Sequence, residues 1–142
     1  MKSGRVGVLM IHDVNPAYSL PAAAGFREAL ADVPFVVSFA SAADETSQLA
    51  QLVLPDHTPL ESWGDVETQP GMRSLLQPTL RPLFDTRSLV DTLLDVGRAL
   101  SPEVAARLPA GSFRGLLEAG WGAGLRAALT RGGRFQIGRA HV

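Results

Sequence analysis

Cysteine is absent from all 142 residues, so the chain by itself forms no disulfide, builds no thiolate metal site and ligates no iron–sulfur cluster. No apolar run approaches the roughly 18 residues that span a bilayer, and no direct membrane insertion is expected. Charge of one sign is lacking too. Thirteen basic and 14 acidic side chains leave a net charge of −1, which steers the chain toward neither nucleic acid nor an anionic membrane. Neither a G-x-G-x-x-G nor a Walker sequence occurs, so an ordinary dinucleotide or ATP site is not indicated. The N-terminus, MKSGRVGVLMI, has a charged start but runs straight into a strand-like segment, and does not read as a signal peptide.

What is present is apolar content, 46% of residues, enough for the core of one ordinary domain. The organising stretch is Phe35 to Gly64. Phe35 to Phe39, bounded by Pro34, suits a strand buried on both faces of a parallel sheet. Asp44-Glu45-Thr46 reads as an acidic helix start, and Leu52-Val53-Leu54, stopped by Pro55, as a further strand. Upstream, Arg5 to Ile11 is a buried strand, followed by a helix over 21–31 with Pro21 in its first turn. Strand, helix and strand in this span predict a right-handed βαβ crossover. The expected architecture is therefore α/β: a partial parallel three-layer, Rossmann-like domain with strands near 5–11, 34–39 and 51–54.

Downstream, Pro70-Gly71 marks a turn, with extended pieces around 74–76 and 79–83. A helix over 86–100 carries Leu89, Leu93, Val96 and Leu100 on one side, capped by Asp85 or Thr86. Ser101-Pro102-Glu103 starts a short helix. The last helical pattern, Phe113, Leu116, Leu117 and Trp121, is diluted by glycines that each cost about 1 kcal/mol relative to alanine. That tail is expected to need a partner surface, and the chain alone to be marginal and prone to association. The division expected is an α/β part over 1–100, a helical, irregular C-terminal segment over 101–136 acting as a linker, and an artefact over 137–142. The hexapeptide Ile137-Gly138-Arg139-Ala140-His141-Val142 reads as translated sequencing adapter and is left out of the site reading.

Few residues carry chemistry by pattern. His12, Asp13 and Asn15 follow the first strand, where helix N-terminal amides hold phosphate oxygens; the plainer reading is a polar loop in which Asn15 caps a turn. Asp56, His57 and Glu61 suggest acid–base or metal chemistry, but no third ligand is evident. A triad built on Ser38 or Ser41 lacks the nucleophile-elbow glycines. Trp63 and Trp121 read as packing anchors. No catalytic residue and no metal ligand is assigned.

The run of a strand, x-x-Asn15-Pro16, a helix, Phe35-Val36-Val37, Asp44-Glu45-Thr46 and Ala50-Gln51-Leu52-Val53-Leu54-Pro55 resembles the third, α/β domain of molybdopterin oxidoreductases. The resemblance covers about Val6 to Leu100. The wording Asn15-Pro16-Ala17-Tyr18-Ser19-Leu20-Pro21, Pro55-Asp56-His57-Thr58 and Glu61-Ser62-Trp63-Gly64-Asp65 is most similar to the molybdopterin-oxidoreductase-like iron–sulfur subunit of alternative complex III and related quinone-linked complexes. In that family the subunit is much longer, so an internal fragment is implied.

Carried over, the resemblance implies a wall of a molybdopterin guanine dinucleotide site formed by His12, Asn15, Pro16, Asp44, Glu45 and Thr46, with His57, Glu61 and Gly64 toward its metal end. Two departures stand out. Asp13 replaces the glycine that cofactor-binding members carry two residues before the asparagine, and Glu67-Thr68-Gln69-Pro70-Gly71-Met72-Arg73 stands where an Asn-x-Glu-Gly-Arg run is common. Both fit the cofactor-free subunit of alternative complex III. The function implied is a structural domain in a quinone-linked electron-transfer complex, without bound cofactor and not catalytic alone; the alternative is a catalytic molybdenum-cofactor domain. Iron–sulfur clusters are then expected only on other parts of the parent. The partners implied are other domains of the same chain and membrane-complex subunits, membrane-associated on the periplasmic side.

Overall fold

The computed structural model describes residues 1, 3–108 and 111–135; the hexapeptide read as adapter lies outside the described residues. The chain forms two compact units, residues 1–56 with 84–87, and residues 57–83 with those from 88 onward. Each is described by itself.

The first unit holds the parallel sheet that the apolar runs predict. Strands β1 (Val8–Ile11), β2 (Phe35–Ser38) and β3 (Leu52–Val53) lie in the order β1-β2-β3. Val8 stands opposite Phe35, Met10 opposite Val37, and Val37 opposite Leu52. The crossover from β1 to β2 runs through a one-turn helix α1 (Pro16–Ser19), a 3-10 turn at Ala22–Ala24 and helix α2 (Phe26–Ala31). The continuous helix expected over 21–31 is broken at Gly25, whose φ of 62° is the left-handed conformation that glycine adopts without steric cost. Beyond that break, Leu30 of α2 and Val33 pack with Ile11 and Val36 of the sheet, flanked by Leu9 and Phe26. Each such fully buried side chain contributes about 1.5–3 kcal/mol.

Side-chain alternation assigns the two sheet faces. Leu9, Ile11 and Val36 belong to the face covered by α2. On the other, Val37 at the centre is buried, while Val8, Met10, Phe35 and Leu52 around it are 52%, 50%, 41% and 37% exposed. The helix expected after Asp44-Glu45-Thr46 is only a 3-10 turn, Ser47–Leu49. Ser47 N–H donates to Asp44 Oδ1 (2.6 Å) while Asp44 N–H donates to Ser47 Oγ (2.8 Å). These reciprocal bonds close a tight turn that offers the backbone an alternative to a helix.

In the second unit, strands β4 (Gly64–Gln69) and β5 (Met72–Leu76) form an antiparallel hairpin around Pro70-Gly71, and β6 (Gly133–Phe135) joins β5 antiparallel. The sequence predicts the turn and the extended piece at 74–76, but not the sheet. The piece at 79–83 is not a strand; Thr79 and Leu80 N–H groups instead donate to Leu60 O. Four helices follow: α3 (Leu89–Leu100), α4 (Pro102–Arg107), α5 (Phe113–Trp121) and α6 (Leu125–Arg131). Ser88, not Asp85 or Thr86, caps α3, and Ser101 caps α4. The residue α3 buries is Leu94, while Leu93, Val96 and Leu100 remain 41%, 42% and 71% exposed.

The glycine-diluted tail finds its cover within its own unit. Leu117, Trp121 and Ala128 pack on Leu75 of β5, with Trp63 and Phe113 alongside. The expectation that this tail needs a partner surface is thereby corrected: its apolar stripe is matched by an antiparallel sheet, which periodicity cannot reveal. Gly133 makes that closure possible, because a Cβ there would lie 2.5 Å from Arg73 O. Among the described residues no helix is long and apolar enough to cross a membrane.

Candidate functional site

In open parallel sheets the crevice beyond the strands' carboxyl ends is where ligands bind. In the first unit that edge gathers His12 after β1, the segment after β2 and Asp56 after β3. His12 Nε2 meets Asp56 Oδ2 at 2.8 Å, with side chains 43% and 19% exposed, and the imidazole stands edge-on to Phe39. This His–carboxylate pair can hold or pass a proton. No nucleophile is presented to it by Ser38, which is 2% exposed and whose Oγ accepts from Ala40 N–H.

Asn15, Glu45 and Thr46 converge as the resemblance implies, but on one another. Asn15 Nδ2 donates to Glu45 Oε2 (2.7 Å), and Thr46 Oγ1 donates to Asn15 Oδ1 (2.6 Å). Thr46 Oγ1 also accepts from Ala17 N–H at 3.0 Å. The bond from Asn15 is the largest influence holding the Glu45 carboxyl below its ordinary pKa, aided by its own backbone N–H and opposed by burial and the Asp44 charge. Pro16 opens α1 and has no N–H, and the Tyr18 and Ser19 N–H groups donate to Asn15 O. The first amides of this helix are therefore engaged internally.

Asp13 has a φ of 54°. A non-glycine residue in the left-handed region is uncommon, and aspartate is among those that tolerate it. The position where cofactor-binding members carry glycine thus keeps a glycine-like backbone and adds a carboxylate. Asp13, Asp44, Glu45 and Asp56 make this edge acidic.

His57, Glu61 and Gly64 belong to the second unit. His57 and Glu61 line a cavity of about 310 Å³ together with Trp63, Arg81, Asp91 and Arg114. Glu61 is a clamp for its walls: Oε2 accepts from Thr58 N–H and Oγ1, and Oε1 from Leu83 N–H, each at 3.0 Å. Asp91 ties α3 to α5 by accepting from Phe113 N–H (2.6 Å). The Arg114 guanidinium lies over the Trp63 ring, 5.1 Å from its centre, and bonds Glu118. Gly64 opens β4; a Cβ there would meet Leu76 at 3.6 Å, ordinary contact, so local packing does not demand glycine. No group of three or more metal-ligating side chains occurs among the described residues. The Asp91 clamp and the Arg114 stack escape sequence reading, since each joins segments that spacing does not relate.

Glu61 gives a pH-dependent expectation. The Leu83 N–H bond first, then the Thr58 N–H bond, hold its carboxyl below the ordinary value, against burial. A folded-state pKa below the unfolded one stabilises fully above the ordinary carboxylate range, and that contribution is lost as pH falls through the lowered value. Melting temperatures across the acid range should therefore fall less steeply in Glu61→Gln, from a lower plateau near neutrality. Parallel curves for the two proteins would refute the clamp.

No protein-family model matches the chain. Over 115 residues, 78% of this chain, it is 37% identical to the menaquinone reductase, molybdopterin-binding-like subunit of Nitratidesulfovibrio vulgaris (strain Hildenborough). The chain spans 16% of that relative's length. The likeness supports a molybdopterin-binding oxidoreductase-like family. It lends no support to the narrower reading as alternative complex III.

Proposed function

We propose that this chain is a structural domain of a molybdopterin-binding-like subunit in a quinone-linked electron-transfer complex, and that it holds no molybdopterin guanine dinucleotide. The relative's name points to a menaquinone reductase; alternative complex III is suggested by the sequence resemblance alone. The chain's first unit supplies the parallel sheet, and its C-terminal helices close on the antiparallel sheet of the second. The partners are the remaining domains of the parent and the other subunits of the complex, and iron–sulfur clusters sit on other parts of the parent.

The observation that carries this reading is the state of the donors at the sheet's carboxyl edge. A pyrophosphate requires free amides and a lack of negative charge. Here Pro16 has no N–H, Ala17 N–H is held by Thr46, and both carboxamide atoms of Asn15 are bonded to neighbours. Asp13 adds repulsion: like charges about 4 Å apart at an effective dielectric constant of about 20 repel by about 4 kcal/mol, less where water intervenes. A helix N-terminus returns at most about 2 kcal/mol, and α1 is only four residues long. These residues do not fit the dinucleotide.

Metal and nucleotide analysis of the full-length parent, purified from its own source, tests the proposal. Molybdenum and tungsten are expected far below one per chain, with no guanine nucleotide released on denaturation. Near-stoichiometric metal with released dinucleotide would restore the catalytic reading.

A further inference from the structure

The cavity of the second unit has no part in the proposed function. It encloses about 310 Å³, at the floor of the roughly 300–1,000 Å³ typical of ligand pockets. Trp63, Pro78, Leu80, Pro82 and Phe113 supply apolar wall, while Arg81, Arg114 and the buried Ser88 supply donors. Every lining residue belongs to this one unit.

Hydrogen-bonding groups in this lining are unevenly satisfied. Both Glu61 oxygens accept, from Thr58 and Leu83, and Asp91 Oδ1 accepts from Phe113 N–H. The amides where α3 and α5 begin are engaged as well: Asp91 N–H donates to Ser88 Oγ, and Gly115 N–H to Ser112 Oγ. Donor side chains are left over. Among the described residues, Arg81 makes no hydrogen bond or ion pair. Arg114 bonds Glu118 through Nε alone, so its two terminal nitrogens stay open among the same residues. Ser88 accepts through Oγ and keeps its hydroxyl proton to donate.

We infer that this cavity binds a small carboxylic acid with an apolar body of about one ring. Leftover donors beside an apolar wall select a ligand that brings acceptors at one end and hydrocarbon at the other. A carboxylate fits the planar fork of a guanidinium, which can bond both of its oxygens at once. The Trp63 ring already holds the Arg114 fork in place. Net charge does not make the choice, because Glu61 and Asp91 balance the two arginines. The acids, however, are bonded into the wall and Arg81 is not. The ligand is a different molecule from the dinucleotide, so the inference holds whether or not the parent carries molybdenum.

Benzoate is the probe, and benzamide is a neutral control of the same shape that exchanges one acceptor for a donor. Equilibrium dialysis of labelled benzoate against the full-length parent should reveal a saturable site with a Kd on the order of 1 mM. Benzamide should bind about tenfold more weakly or worse. Arg81→Gln should weaken benzoate by about tenfold, the loss of a charge-assisted bond, at an unchanged melting temperature. Arg114→Lys keeps the charge but not the fork, and should also weaken it. Arg107→Gln, on α4 and outside the lining, should bind as wild type.

Absence of saturable benzoate binding by the parent would overturn the inference. So would benzamide binding as tightly as benzoate, which would make the cavity merely apolar. Equal effects of Arg81→Gln and Arg107→Gln would overturn it too, by reducing the attraction to overall charge.

Discussion

Replacing Trp121 by alanine should destabilise the second unit by about 3–5 kcal/mol, the range for removing a buried tryptophan side chain. Trp121 is 7% exposed and ends α5 in the cluster with Leu75, Leu117 and Ala128. Its role is also polar. Indole Nε1–H donates to Asp65 Oδ2 at 2.9 Å, and the Arg73 guanidinium sits 4.7 Å from the ring centre. Arg73 in turn donates from Nε to the same Asp65 oxygen (2.6 Å). One side chain thus joins α5 to both strands of the β4–β5 hairpin. Since whole domains are stable by only about 5–15 kcal/mol, loss on this scale should leave the unit partly unfolded at growth temperature.

Trp121→Phe separates the terms. It keeps most of the apolar contact and loses the N–H, so it should cost less than alanine by several kcal/mol, with about 1 kcal/mol assigned to the lost hydrogen bond. Urea titrations followed by circular dichroism would read both variants. Equal stability of wild type and Trp121→Ala would show that the tail does not close on this sheet.

Thr46→Val is expected to be the most damaging conservative change in the first unit, costing about 2–3 kcal/mol. Valine matches threonine in shape, and Thr46 is 1% exposed, so packing is nearly preserved. The change removes a hydroxyl that donates to Asn15 Oδ1 and accepts from Ala17 N–H, leaving two polar groups without their partner. Thr46→Ser keeps the hydroxyl and should recover most of the loss. The pair also bears on the proposed function, because Thr46→Val frees the Ala17 amide without creating a dinucleotide site: Asp13 and the missing N–H of Pro16 remain. A valine variant as stable as wild type would mean that the Asn15–Thr46 network is not formed.

Local pattern made the parallel sheet legible. β1 and β2 are short apolar runs bounded by Pro34 and the His12–Asn15 turn, separated by a crossover of the length that parallel pairing requires. The strands at 34–39 and 51–54 were overestimated by a residue at each end; Phe39 and Leu54 continue the apolar runs, and their N–H groups still bond Ile11 O and Ser38 O. The break in the crossover helix was written in Gly25, but glycine inside a helical pattern is also tolerated. The antiparallel sheet was not legible. β6 reaches β5 from about 60 residues away in sequence, and its residues Gly133–Phe135 carry no alternation long enough to register as a strand.

The site divides in the same way. The resemblance picked out Asn15, Glu45 and Thr46, and the fold does bring them together. What they do there depends on distances between segments some 30 residues apart, and those distances make them partners of one another rather than open donors. Asp13 was visible as a departure, but only the backbone shows that it occupies a left-handed conformation suited to glycine.

By itself, then, the sequence determined the classes of chemistry without cysteine, the order of the parallel strands' apolar runs, and the Ser101 start of the short helix α4, because each depends on residue type and short-range spacing. The tertiary structure decided which apolar stripe is covered, which polar groups are left for a ligand, and that the glycine-rich tail closes on a second sheet. Those outcomes follow from contacts between segments far apart in the chain, where burial and hydrogen-bond geometry, not local propensity, choose the partner.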